Sequence, residues 1–137
     1  MTAKEELKKI ASLQHQIDRL KQREQAIREN MASLRSSAGH LAADKVQTSH
    51  SNDRILNYIT QIEEIEEQIL KSILTLEKEK DLICLKIEAI KDERYKNILF
   101  CRYVLFYDYE DIAAKMGYSL RQIFNLHAEA LNEYANM

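Results

Sequence analysis

The chain has 137 residues, of which 31% are charged and 45% hydrophobic, and its formal net charge is −2. That length allows one or two small domains. No run approaches the ~20 apolar residues of a membrane span, and a charged amphipathic segment follows Met1, so neither an anchor nor a signal peptide is expected. With no proline and only two glycines, Gly39 and Gly117, the chain should be almost entirely helical.

The first helix is expected over residues 3–35. Thr2 and Glu5 have capping-box spacing at its start. Ile10, Leu13, Ile17, Leu20, Ile27, Met31 and Leu34 then recur in steps of three and four, broken only at Glu24. This is a heptad seam, and a helix carrying one cannot bury it alone. The remaining faces are Lys, Arg, Glu and Gln and read as solvated, His15 among them.

Periodicity fades over 36–52, SSAGHLAADKVQTSHSN, where Ser, Gly, Thr and Asn accumulate. A linker is expected there, with Leu41 and Val46 tacking it down. The second long helix is expected over 53–91. Its stripe is Ile55, Ile59, Ile62, Glu66, Ile69, Ile73, Leu76, Lys80, Ile83, Ile87 and Ile90, and only Glu66 and Lys80 are not aliphatic. So regular a repeat favours a coiled coil over an ordinary amphipathic helix. Leu56, Ile65, Leu70, Leu74, Leu82 and Leu85 widen the apolar surface and imply more than one neighbour.

Charge is unevenly distributed. Residues 1–35 carry eight Lys/Arg and five Asp/Glu, and residues 53–93 carry six and eleven. A basic helix followed by an acidic one suits an antiparallel hairpin. A simple hairpin would bring Glu24 near Glu66, which is unfavourable. A hairpin that also forms a homodimer is the favoured arrangement.

Asp92 can cap a third helix. Tyr95, Ile98, Leu99, Tyr103 and Phe106 lie along one face of 94–106, a support helix whose aromatic residues read as core. Then comes the stretch with the sharpest chemical message, Asp108 to Leu131. Asp108 can cap a short helix, Tyr109–Met116, with Asp111 near its positive end. Ala113 is small enough for two helices to cross closely. Gly117 supplies the positive backbone angle that the turn needs. Ser119 and Gln122 have capping-box spacing for the next helix. With Ile112, Met116, Ile123 and Leu126 pointing inward, Leu120, Arg121, Gln122, Phe124 and Asn125 face outward.

This is a helix-turn-helix pattern, and its outward residues are candidates for reading base edges in a DNA major groove. Arg121 suits guanine, and Gln122 and Asn125 suit adenine. Ser119, Lys115 and the start of the helix at Tyr109 would hold phosphates. Against this, residues 94–137 carry five basic and five acidic groups, without the basic surplus that drives phosphate binding.

Cys84 and Cys101 are isolated in helical patterns and read as buried reduced thiols, which fits a cytoplasm. The histidines His15, His40, His50 and His127 have no metal-ligand spacing. There is no nucleophile, acid–base or phosphate-loop cluster, so neither an enzyme nor a cofactor or metal is expected.

The run IEAIKDERYKNILFCRYVLFYDYEDIAAKMGYSLRQIFNLHAEAL resembles phage and prophage transcriptional regulators of the ArpU-like type. Their C-terminal module is similar to region 4 of sigma-70 factors. The likeness is carried by Arg102–Tyr103, EDIAAKMGYS and the ending FNLHAEAL. DKVQTS and the Ile-rich helix after Asp53 extend it upstream. The resemblance implies a small phage-encoded regulator in the bacterial cytoplasm that binds double-stranded DNA near a promoter and assists or redirects RNA polymerase. It places Ser119, Arg121, Gln122 and Asn125 on the recognition helix. Tyr109 stands where such proteins often have tryptophan, and Asn125 where they often have a basic residue.

The expectation is therefore an all-α protein with a hairpin or coiled-coil arm (1–93) and a three-helix helix-turn-helix module (94–137). Two other readings are a coiled-coil interaction protein that binds polymerase or a sigma factor without touching DNA, and a DNA-packaging adaptor like a small terminase subunit.

Overall fold

The structure is a computed structural model that describes residues 2–40 and 45–137, without the side chains of 37–40, 45–49 and 51. It is all-α, and the described residues include no strand. In chain order come α1 (Ala3–His40), α2 (Lys45–Glu88), α3 (Glu93–Leu99), a π-helical turn (Phe100–Val104), α4 (Tyr109–Met116) and α5 (Leu120–Ala135). None of the described helices is long and apolar enough to cross a membrane.

Both long helices run into the segment expected as a linker. α1 continues to His40, and α2 is already helical at Lys45. The reason is cooperative. Extending a formed helix adds one hydrogen bond per residue, and without proline nothing in 36–52 forbids it. Residues 41–44 of the expected linker lie outside the described residues, as does the role given to Leu41; the side chain of Val46 lies outside them too. α2 stops at Glu88, short of the expected 91, in a turn closed by Ile90 N–H donating to the Ile87 carbonyl.

The chain divides into two compact units. One is His15–Leu74. Here α1 and α2 lie antiparallel, with Ile17 and Ile27 buried on one side and Ile62, Ile65 and Ile69 on the other. Ile55, Ile59 and Ile73 are only half-buried. The feared meeting of Glu24 with Glu66 is resolved by Arg28. Its guanidinium lies 2.9 Å from Glu24 and 2.7 Å from Glu66, so one cation serves both carboxylates. All three groups are accessible to water, so this is a register device more than a source of stability.

The other unit is Met1–Gln14 with Thr75–Met137. It joins the start of α1 and the end of α2 to the C-terminal helices. Thr2 and Glu5 form the expected reciprocal cap. One turn on, Glu6 accepts from Tyr134 Oη at 3.1 Å and from Lys86 Nζ at 3.4 Å. The same ammonium lies 4.2 Å from the centre of the Tyr134 ring. Tyr134 is fully buried, so its hydroxyl needs this partner, and burial pushes its pKa up. Leu7, Ile10, Leu76, Ile83 and Ile87 are buried in this unit as well.

Asp92 caps α3, accepting from Arg94 N–H. The support helix does not run evenly to Phe106. It widens into the π-helical turn at Phe100 and ends at Val104. The link that follows is pinned by Tyr107 N–H donating to the Cys101 carbonyl at 2.9 Å and Arg102 donating to the Tyr107 carbonyl at 3.1 Å. Phe106 sits there at φ 61°, a left-handed conformation uncommon for a bulky side chain. Cys101 is buried and Cys84 half-buried, both as free thiols.

Candidate nucleic-acid interface

Four elements build the module. α3 and the π-helical turn form the floor, and α4 and α5 pack on it. Ile98, Cys101, Ile112, Ala113 and Ile123 make the core, with Tyr107, Tyr109, Met116, Tyr118 and Leu126 packed around it. Tyr95 ties α3 to α5 by donating to Glu129 at 2.9 Å.

Each end of the turn is chemically specified. Asp108 accepts from Asp111 N–H at 2.7 Å and so opens α4. Gly117 closes it at φ 74°, where both its own N–H and that of Tyr118 donate to the Ala113 carbonyl. A Cβ on Gly117 would meet nothing within 4 Å, so glycine is needed for its backbone angle and not for space.

The capping box at α5 is complete: Gln122 N–H donates to Ser119 Oγ at 3.2 Å, and Ser119 N–H donates to Gln122 Oε1 at 2.9 Å. Replacing Ser119 with alanine should cost about 1 kcal/mol of module stability. Thermal unfolding followed by circular dichroism checks this, with Ser119→Asp expected to retain most of the stability.

Arg121, Gln122 and Asn125 are all exposed, and Leu120 and Phe124 lie exposed beside them. The side chains of Arg121 and Asn125 have no hydrogen-bond or ion-pair partner among the described residues. Gln122 differs. Its amide oxygen is held by the cap, so only its NH2 group is left to offer outward. A two-point contact with adenine uses both ends of the amide and would require opening the cap.

Two other candidates, Tyr109 and Lys115, have aromatic neighbours. Tyr109 is half-buried. Its ring meets Phe124 edge-on at 5.1 Å and His127 at 5.3 Å, under the Arg102 guanidinium at 4.2 Å. It is placed to hold α5 against α4. Lys115 is exposed, 5.1 Å from the Tyr107 ring, in a cleft otherwise walled by residues such as Arg94, Phe100 and Leu105. That places it on the α3 side of α4, away from the outer face of α5.

Behind the outer face lies a group that the spacing did not single out. His127 is buried, with its Nε2 2.7 Å from Tyr103 Oη. Burial, aided by Lys4 and Arg102, pushes its pKa down to about 4, so the ring is neutral near pH 7. Burial likewise pushes Tyr103 up to about 12. Among the described residues no group of His, Cys, Asp or Glu could hold a metal ion. Comparison with protein-family models, curated proteins and solved structures gives no match.

Proposed function

We propose that the C-terminal module binds double-stranded DNA with sequence preference through the outer face of α5, and that the protein is a non-catalytic transcriptional regulator of the phage type it resembles, working in a bacterial cytoplasm with the host polymerase. The observation that carries this reading is Arg121 and Asn125, exposed and unpaired on the first turns of a capped second helix after a left-handed Gly117 turn. Arg121 reads guanine, Asn125 reads adenine, and Gln122 adds a single donor. Ser119 and the start of α5 lie toward the phosphates.

Selection of binding sites from random duplexes, followed by gel shifts, tests the proposal. Arg121→Ala should weaken the best site by ~1–3 kcal/mol and relax preference at one base pair. Unchanged binding by that variant would remove Arg121 as a reader.

One observation favours a second reading, an interaction protein that binds polymerase or a sigma factor and never touches DNA. Residues 94–137 hold Arg94, Lys96, Arg102, Lys115 and Arg121 against Asp108, Glu110, Asp111, Glu129 and Glu133, so they have no net charge with which to attract phosphates. Failure to shift any duplex at low salt would decide for it.

A further inference from the structure

Within His15–Leu74, α2 has two apolar faces and only one of them is covered. Ile62, Ile65 and Ile69 are buried, whereas Leu56, Leu70 and Leu74 are 61%, 59% and 63% exposed. At about 100° per residue the three leucines fall within about 40° of one another, on average roughly 130° round the helix from the isoleucines. Glu63 and Glu67 lie in the same stripe between the leucines, and both are exposed. Asp53 and Glu64 flank them, and the nearby cation, Lys71, contacts Glu67 at 3.1 Å.

From this stripe we infer a docking surface for a basic amphipathic helix of a partner protein, with apolar side chains against Leu56, Leu70 and Leu74 and Lys or Arg against Glu63 and Glu67. The charges select the occupant. A second copy in parallel register would set each glutamate against itself. An antiparallel copy that matches Leu56 with Leu74 fares no better, because the same register puts Glu63 on Glu67. Like charges face each other both ways, a destabilising arrangement that disfavours self-pairing. A helix with cations in the middle and apolar residues at both ends satisfies all five positions. The inference stands apart from DNA binding, since none of its residues belongs to the module.

The test uses the full chain and two synthetic helical peptides with the same leucines, one with lysine and the other with glutamate at the central positions. Fluorescence anisotropy should show the lysine peptide binding at least roughly tenfold more tightly. Glu63→Lys with Glu67→Lys should reverse that preference. Leu70→Gln with Leu74→Gln should weaken the lysine peptide by roughly tenfold or more while circular dichroism shows helix content unchanged. Equal affinity for both peptides, binding of neither, or indifference to the leucine substitutions would overturn the inference. So would sedimentation showing a dimer that Leu70→Gln with Leu74→Gln dissociates, because the face would then be a self-interface.

Discussion

Ile123→Ala should destabilise the C-terminal module by ~2–5 kcal/mol, the range for truncating a large aliphatic side chain in a packed core. Ile123 is fully buried among Ile98, Cys101, Ile112 and Ala113, which come from α3, the π-helical turn and α4. Collapse around the void would require these elements to move together. α3 and α4 begin at side-chain caps, and the link between them is pinned by Arg102 and the Tyr107 N–H, so relaxation should be small and the cost should sit high in the range. Leu120 is the control. It lies on the same helix but is 39% exposed, and Leu120→Ala should cost less than about 1 kcal/mol. Urea unfolding followed by near-ultraviolet circular dichroism reports on this region, because six of the seven tyrosines lie between Tyr95 and Tyr134. The midpoint should fall with little change in slope. A loss below about 1 kcal/mol for Ile123→Ala would mean that the crossing of α4 and α5 is looser than drawn.

The features legible in the sequence were those decided by neighbouring groups. The caps at Asp92, Asp108 and Ser119 and the turn at Gly117 each depend on backbone atoms two to four residues away, and all four form. The inward set of α4 and α5 followed from helical period alone. The hairpin register did not: a seam of near-identical isoleucines is satisfied equally well one turn along. Arg28 meets Glu24 within its own helix, four residues apart, but its pairing with Glu66 comes only from two helices meeting.

The π-helical turn left no trace in FCRYV, since both hydrogen bonds that hold the link behind it, one from Tyr107 N–H to the Cys101 carbonyl and one from Arg102 to the Tyr107 carbonyl, need Tyr107, outside the turn. Phenylalanine likewise gives no hint that Phe106 adopts a left-handed angle. At the candidate interface, the same spacing marked Gln122 as both cap and base reader. Only coordinates reveal that the first role occupies the atom needed for the second. Tyr109 shows the same ambiguity, because an aromatic residue at the start of a helix serves equally well against a phosphate or, as here, wedged beside Phe124 and His127.

His127 makes the module's stability depend on pH. Its folded pKa is about 4, against an ordinary value of 6.5. Between those values the unfolded chain holds a proton on this ring and the folded chain does not, so stability rises with pH there. The contribution is complete above about pH 6.5 and is lost as pH falls toward 4. At roughly 1.4 kcal/mol per unit, the loss reaches about 3 kcal/mol by pH 4. Asp92 acts in the same direction but lower, because hydrogen bonds from Arg94 hold its carboxyl below the ordinary 3.8 and its effect begins only beneath that value. Denaturation midpoints measured from pH 7 to 4 should therefore decline as pH falls below about 6.5. His127→Gln keeps a polar partner for the Tyr103 hydroxyl and has nothing to protonate, so its midpoint should stay nearly flat across the same interval. A wild-type curve as flat as that of the variant would mean that water reaches the ring and that the layer of Arg102, Tyr109, His127 and Tyr103 opens readily. The aromatic contacts fixing α5 would then be too weak to hold Arg121 and Asn125 in place.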